Sequence, residues 1–354
     1  MTYIQQMKDK CALLRSKKNV KILAIESSCD ETSVAVVENG RKVLSNIISS
    51  QIDIHRHFGG VVPEVASRNH ILNIIPLVDQ ALSSAKLTFN DIDCIAVTQG
   101  AGLVGALLVG LTTAKALAFA LEKPLINVNH IKGHIAANFI AYPKLEPPFI
   151  CLITSGGHTA IVKVNDYVHF DLIGSTQDDA IGEAFDKVAR VLGLEYPGGV
   201  KVDKLASGVE PKLKFITHDN LCDSYNVSYS GLKTAVINYV HKLNQSGSKL
   251  DVKQICASFQ HEAVDMLTSK VMRACKQFQQ DKLVLAGGVA ANSYLRSSLD
   301  KLCAKSNVKL FYPPIEFCTD NAAMIGSIAY YQLLSCEPAD LDISALASID
   351  LANA

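Results

Sequence analysis

Residues 21–40 read KILAIESSCDETSVAVVENG, and residues 149–166 read FICLITSGGHTAIVKVND. In the first stretch an apolar run ends at Ile25, polar residues follow from Glu26 to Ser33, and apolar residues return at 34–37 before Glu38-Asn39-Gly40. That order predicts strand, polar turn, strand and a second turn. The second stretch repeats the plan, with a strand over 149–154, the turn Ser155-Gly156-Gly157-His158-Thr159, and a returning strand over 160–164. Laid over each other, Ser28 falls on Ser155 and Thr32 on Thr159. A repeat a domain's length apart predicts two similar lobes.

Outward from these units, strands and helices alternate. Residues 94–98 form a strand that leads through Gln99-Gly100-Ala101-Gly102 into a small-residue helix. Residues 124–128 form a strand followed by a helix through Tyr142. Residues 282–286 end at Gly287-Gly288, with a helical stretch from Ala290 to about Cys303. A strand over 308–312 and the break Pro313-Pro314 precede a long helix over 319–334, with Thr319 as its N-cap. The fold class is therefore α/β with mixed sheets. Residues 337–354 lack periodicity and read as a loosely held tail, and the lysine-rich residues 1–20 as a basic disordered one.

Composition narrows the function. The chain has 354 residues, a length suited to two domains around a cleft. With 49% hydrophobic and 19% charged residues, a large core is available. Lysine and arginine balance aspartate and glutamate at 34 each, which excludes a generally basic nucleic-acid binder but not a local patch. The 10 cysteines include no C-x-x-C pair and read as buried thiols in a reducing compartment. Asp93 and Lys115 bracket an uncharged run, but its glycines break it into strand, turn and helix, so no membrane span is expected. No apolar core follows the basic N-terminus, so no secretory signal is read. A cytoplasmic protein is expected, with the mitochondrial matrix as the alternative.

Four segments carry chemistry. His130 and His134 are spaced i,i+4, so a helix places both imidazoles on one face at the carboxyl end of a strand. They either share one metal ion or serve separately, one as a cap and one at the surface. Glu does not follow the first histidine, so the H-E-x-x-H zinc-protease pattern is absent. Asp320, at a helix start, is the natural third ligand, and two histidines with one carboxylate leave coordination positions open. The turn Ser155-Gly156-Gly157 reads as a phosphate cradle or as an ordinary hairpin turn. Its twin brings Asp30 and Glu31, which can orient a metal-bound water or a cationic group. Gly287-Gly288 with Asn292 can hold a flat ring against exposed backbone, although that segment lacks G-x-G-x-x-G. Tyr196-Pro197-Gly198-Gly199 with Asp203 reads as a ribose clamp or a capping loop.

Taken in order, these motifs resemble the catalytic subunits of tRNA threonylcarbamoyladenosine synthases, a group once described as O-sialoglycoprotein endopeptidases. The resemblance spans residues 21–335 and rests on Glu26-Ser-Ser-Cys-Asp-Glu-Thr32, Gly59-Gly-Val-Val-Pro-Glu64, Asn129-His-Ile-Lys-Gly-His134, Ser155 to Thr159, Ser230-Gly-Leu-Lys-Thr234 and Cys318-Thr-Asp-Asn321. Val200 departs from the pattern, which usually has proline there. The resemblance implies an actin/Hsp70-like fold of two ribonuclease-H-like lobes. The first would comprise residues 21–131 plus about 319–340, the second 132–318, with 341–354 as a C-terminal tail. It implies one divalent metal ion, iron with zinc as the alternative, on His130, His134 and Asp320. It also implies a threonylcarbamoyl-AMP site at Ile153, Thr154, Ser155, Gly156, Gly157, Asp186, Gly199, Asp203 and Asn292, with Asp30, Glu31 and His158 as auxiliary groups. The reaction implied is threonylcarbamoyl transfer to the exocyclic amine of adenosine 37, beside the anticodon, in tRNAs reading codons that begin with A. Implied partners are tRNA, a non-catalytic paralogous subunit and a small ATPase. The competing reading is a metal-dependent (glyco)peptidase with Glu31 as its base.

Overall fold

A computed structural model describes residues 2–216 and 221–351. Its strands are β1 (Lys21–Glu26), β2 (Glu31–Glu38), β3 (Lys42–Ser50), β4 (Cys94–Gly100), β5 (Leu125–Asn129), β6 (Phe149–Thr154), β7 (Thr159–Val164), β8 (Phe170–Ser175), β9 (Lys282–Ala286) and β10 (Lys309–Phe311). Its helices are α1 (Tyr3–Leu14), α2 (Ile52–Arg56), α3 (Pro63–Ala85), α4 (Val104–Ala120), α5 (His130–Ala141), α6 (Ile181–Val191), α7 (Gly198–Ala206), α8 (Ser230–Gln245), α9 (Val252–Gln277), α10 (Ser293–Ser306) and α11 (Ala322–Ser335).

The repeat extends well beyond the two quoted hairpins. One sheet runs β3-β2-β1-β4-β5 and the other β8-β7-β6-β9-β10, so each strand of the first has a counterpart at the same place in the second. Both sheets open with an antiparallel meander and continue with parallel strands. The period-2 alternation of side chains then sorts the core into layers. Ile22 and Ala24 of β1 face inward with Cys151 and Ile153 of β6, onto α5 and α11. Leu23 and Ile25 face the opposite way, onto α3 and α4. Ile150 and Leu152 face α6, α8 and α9. The central strands are thus buried on both faces, which is why they read as continuous apolar runs.

The central helix pair positions the site. α5 is capped by Asn129, whose side chain accepts from the Ile131 amide at 2.8 Å. α11 is capped by Asn321, which accepts from the Met324 amide at 3.1 Å, so the helix begins beyond the expected cap Thr319. The Ala322 amide donates to Ser33 Oγ at 2.9 Å, tying the start of α11 to β2. Where the two helices cross, a Cβ on Gly133 would lie 2.8 Å from Ile325 Cδ1. A larger residue there would push the helices apart.

The described residues of both expected tails, 2–20 and 337–351, are ordered, and Met1 lies outside the described residues. Within residues 1–20, α1 buries Met7 and Cys11, and Arg15 donates to the Leu333 and Cys336 carbonyls. The stripe Tyr3, Met7, Cys11 and Leu14 is helical in spacing, a signal hidden beneath the lysines. The C-terminal segment runs across the turn after β4. Gln99 donates to the Ser344 carbonyl, the Leu346 amide donates to the Gln99 carbonyl, and the Gly102 amide donates to the Ala347 carbonyl. It is held by irregular backbone bonding, which leaves no periodic trace in sequence. The last three positions of that expected tail lie outside the described residues. Residues 290–303 also differ from expectation, since a 3-10 turn over Gly288–Ala291 precedes α10.

No described helix is long and apolar enough to cross a membrane. On α11, a Cβ at position 326 would sit 2.8 Å from Val37 Cγ2 and 3.0 Å from Val37 Cβ. Gly326→Ala is therefore expected to lower stability by about 1–3 kcal/mol through overpacking, read as a shifted urea midpoint at constant slope.

Candidate metal and nucleotide site

The carboxyl ends of β1, β4 and β5 face those of β6 and β9 across the inner layer. Each sequence-predicted residue can be placed against that frame. His130 opens α5 and His134 follows one turn later, their rings edge to face at 4.6 Å. Asp320, just before α11, sends Oδ1 to 3.4 Å from His130 Nε2 and 3.2 Å from His134 Nε2. These three are the group of possible metal ligands found among the described residues. Donor atoms sharing one ion at about 2.1 Å should lie roughly 3–3.5 Å apart, and the two contacts of Asp320 do. His134 is buried, and its Nε2 meets no protein group other than Asp320 Oδ1. A cation at the centre would satisfy what the protein leaves open.

The electrostatics agree. Burial opposes charge on His130, yet Asp320 and Glu26 outweigh it and raise its pKa well above the usual imidazole range. Burial likewise opposes ionisation of Asp320, but His130 and His134 hold it well below the usual carboxylate range. Glu26, fully buried at the end of β1, is held low by the His130 charge against its own desolvation. Two carboxylates against one imidazolium leave an excess negative charge in a dry place, which a divalent ion would offset. Glu26 is a member of this cluster that the sequence reading missed. Its signal was a lone carboxylate in register with Ile22 and Ala24, at the end of an apolar strand.

Asp30 and Glu31 sit in the β1–β2 turn beside this cluster. Burial, then the neighbouring Asp320 and Asp30 charges, push Glu31 up to about 10, and Ser50 Oγ donates to it at 3.1 Å. His158, in the twin turn, is pushed down to about 4 by burial and then by the nearby His130 and His134. The two turns therefore face one another across the cleft. From the second lobe, Tyr196 is raised above the usual phenol range by burial and then by Asp30, Asp186, Cys29 and Glu31. Arg190 bridges the lobes, donating to the Gly59 carbonyl at 2.7 Å.

The two glycine junctions lie side by side. Ile153 pairs with Ala286, and a Cβ on Gly287, whose φ is +93°, would strike the Thr154 carbonyl. Ile153 and Thr154 are buried in β6, and Ser155 anchors the turn by accepting from the His158 amide at 3.0 Å. Gly156 and Gly157 have no atom within 4 Å of a Cβ position, so open space stands in front of them. The first turn of α6 abuts the same turn, where Gly182 approaches the Ser155 carbonyl. A helix N-terminus beside open backbone suits an anion.

The remaining predicted residues are already engaged. Asp186 Oδ1 accepts from the Gly198 and Gly199 amides at 2.8 and 3.2 Å, organising the start of α7. Asp203 accepts from the Ser293 amide and hydroxyl, joining α7 to α10. Asn292 caps α10 through Oδ1 and donates to Gln260 through Nδ2. Asn292 and Asp203 thus also brace the junction beside the Gly287-Gly288 backbone.

Fold and site together define a two-lobed, actin-like protein with a two-histidine, one-carboxylate centre beside a glycine-lined cleft. HypF from T. kodakarensis shares the fold, with a TM-score of 0.62 at 14% identity over 89% of this chain and 47% of that one. Residues 42–327 match the family described as TsaD, tRNA N6-adenosine threonylcarbamoyltransferase, and the chain belongs to that family. A Clostridium perfringens tRNA N6-adenosine threonylcarbamoyltransferase is 56% identical over 331 residues, covering 93% of this chain and 98% of its own. A Clostridium novyi protein of the same name is 54% identical over 340 residues, covering 94% and 98%. These relatives are transferases, and the peptidase alternative is not favoured.

A Cβ at position 157 meets no protein atom, so Gly157→Val is expected to leave the melting temperature near wild type while sharply weakening adenylate binding. Calorimetry with a non-hydrolysable acyl-adenylate would check this. Unchanged affinity would place the phosphate elsewhere.

Proposed function

We propose that this chain transfers a threonylcarbamoyl group from threonylcarbamoyl-AMP to the N6 amine of adenosine 37 in tRNAs reading codons that begin with A. The observation that carries the reading is the His130, His134 and Asp320 centre, facing an open glycine turn within a chain of this family. Residues 21–131 with about 319–340 act as the lobe bearing His130 and Asp320, and 132–318, which contributes His134 from the same helix, as the lobe holding the nucleotide. The ordered α1 and the C-terminal strap join the first.

The donor is a mixed anhydride, so the amine nitrogen attacks the carbamoyl carbon, the carbon–oxygen bond to phosphate breaks, AMP leaves and an amine proton is released. With so good a leaving group, positioning and charge stabilisation carry most of the acceleration. Gly156 and Gly157 hold the phosphate with backbone amides and the α6 N-terminus, in a turn that Ser155 closes by donating its amide to the His158 carbonyl. The Gly287-Gly288 backbone supports the adenine, with Asn292 fixing that junction and Asp186, Gly199 and Asp203 fixing its opposite wall. When bound at His130, His134 and Asp320, a divalent ion supplies a Lewis acid for the carbamoyl carbonyl and for departing phosphate charge. We take that ion to be iron, with zinc as the alternative. Asp30 and Glu31 orient the acceptor side of the cleft, and neutral His158 donates or accepts a hydrogen bond at the phosphate.

tRNA is the macromolecular substrate. A non-catalytic paralogous subunit and a small ATPase are the proposed protein partners, in the cytoplasm. Ile71, Leu72 and Ile75 on α3 and Val104 and Leu108 on α4 are exposed on a packed helix pair, an apolar patch suited to a partner of the same fold.

Two outcomes test the reading. Incubation with threonine, bicarbonate, ATP, the partner proteins and tRNA is expected to give threonylcarbamoyladenosine on nucleoside analysis. That product should be lost in His134→Ala, and no peptide should be cleaved by the wild type. Peptide cleavage without tRNA modification would overturn the reading. In a pH series, His158→Ala should lower turnover by less than the 10²–10⁴-fold typical of acid–base groups. It should leave the profile above about pH 5 unchanged, because a group pushed down to about 4 is already neutral there.

A further inference from the structure

A metal-binding imidazole must present one nitrogen without a proton, and something must decide which nitrogen that is. At His130, Nε2 faces His134 and Asp320, while Nδ1 lies 3.0 Å from Glu26 Oε2 and 3.1 Å from Ser28 Oγ. A hydroxyl can donate or accept, so Ser28 does not fix the proton. An ionised carboxylate only accepts, so a bond to Glu26 requires the proton to be on Nδ1.

Glu26 is built to stay ionised and still. It is fully buried, and its two oxygens accept from the Ser28 amide at 2.5 Å, from Thr98 Oγ1 at 2.6 Å and from His130. Strand periodicity also selects it, because Ile22 and Ala24 face the inner layer and Glu26 is the next residue to do so. Water does not compete for these bonds.

We propose that Glu26 is a positioning residue that locks His130 as the Nδ1–H tautomer and aims Nε2 at the ion held with His134 and Asp320. This rests on the reading of those three residues as a cation site. A glutamine at 26 serves poorly, because in either orientation its NH2 group faces a donor: turned toward Ser28 it meets that amide N–H and the acceptor for His130 is held only at the cost of that clash. With that group toward His130, Nδ1 must become the acceptor and the proton moves to Nε2, where it blocks coordination.

The test is calorimetric titration of the purified full chain with zinc alone, comparing wild type with Glu26→Gln, Glu26→Asp, Ser28→Ala and His134→Ala, alongside thermal melts. Glu26→Gln is expected to weaken zinc binding about 10–100-fold, the usual cost of losing such a partner. Glu26→Asp should recover much of that loss, and Ser28→Ala should change little. Wild-type affinity in Glu26→Gln, or a larger loss in Ser28→Ala, would overturn the role of Glu26 while leaving the cation site standing. Undiminished binding in His134→Ala would instead overturn the cation site itself. If Glu26→Gln fails to fold, long-range proton–nitrogen spectra of zinc-loaded, histidine-labelled wild type still decide the matter. A proton on His130 Nδ1 supports the proposal, and a metal-bound or unprotonated Nδ1 overturns it.

Discussion

Everything at the functional centre depends on how closely α5 can cross α11. Both helices are apolar on almost every side and lie between two sheets, so burial drives them together from each face. Gly133 sets the separation, because it alone leaves room for Ile325 and Met324 at the crossing. With that separation fixed, His130, His134 and Asp320 converge although the aspartate is far away along the chain. The three ligands therefore rest on the most buried layer of the molecule, which is the surest way to hold a site within a fraction of an ångström.

The same layer explains why the charges are tolerable. Glu26, His130 and Asp320 would each be costly alone in such a place. Together they form a connected network whose members hold one another ionised, backed by Thr98 and the Ser28 amide. Glu31, just outside the network, is pushed the opposite way by burial and by the like charges of Asp320 and Asp30. At the far end of the inner layer, Arg41 fixes the lobes from behind. It donates to the Leu145 carbonyl and to Tyr167, and stacks on Phe139. The cleft is thus pinned at its back by Arg41 and bridged at its mouth by Arg190.

The sequence by itself determined the repeat, the α/β class and the His130 and His134 pair, since each depends on local spacing. Period-2 alternation marks strands, an i,i+4 separation marks one helix face, and glycines after strands mark turns that leave backbone open. The resemblance to a known family chose among the alternatives that spacing left open for Asp320 and for the Ser155-Gly156-Gly157 turn. Only the tertiary structure decided the rest. It showed α1 beneath a run of lysines and the C-terminal strap beneath an aperiodic tail. It also showed that Asp186 holds the start of α7, that Asp203 and Asn292 hold the start of α10, and that Glu26 stands behind His130. The physical reason is common to all of these. Charge counts and propensities describe a residue's near neighbours in the chain, whereas a hydrogen-bond partner or a protonation state is set by groups that only folding brings within a few ångströms.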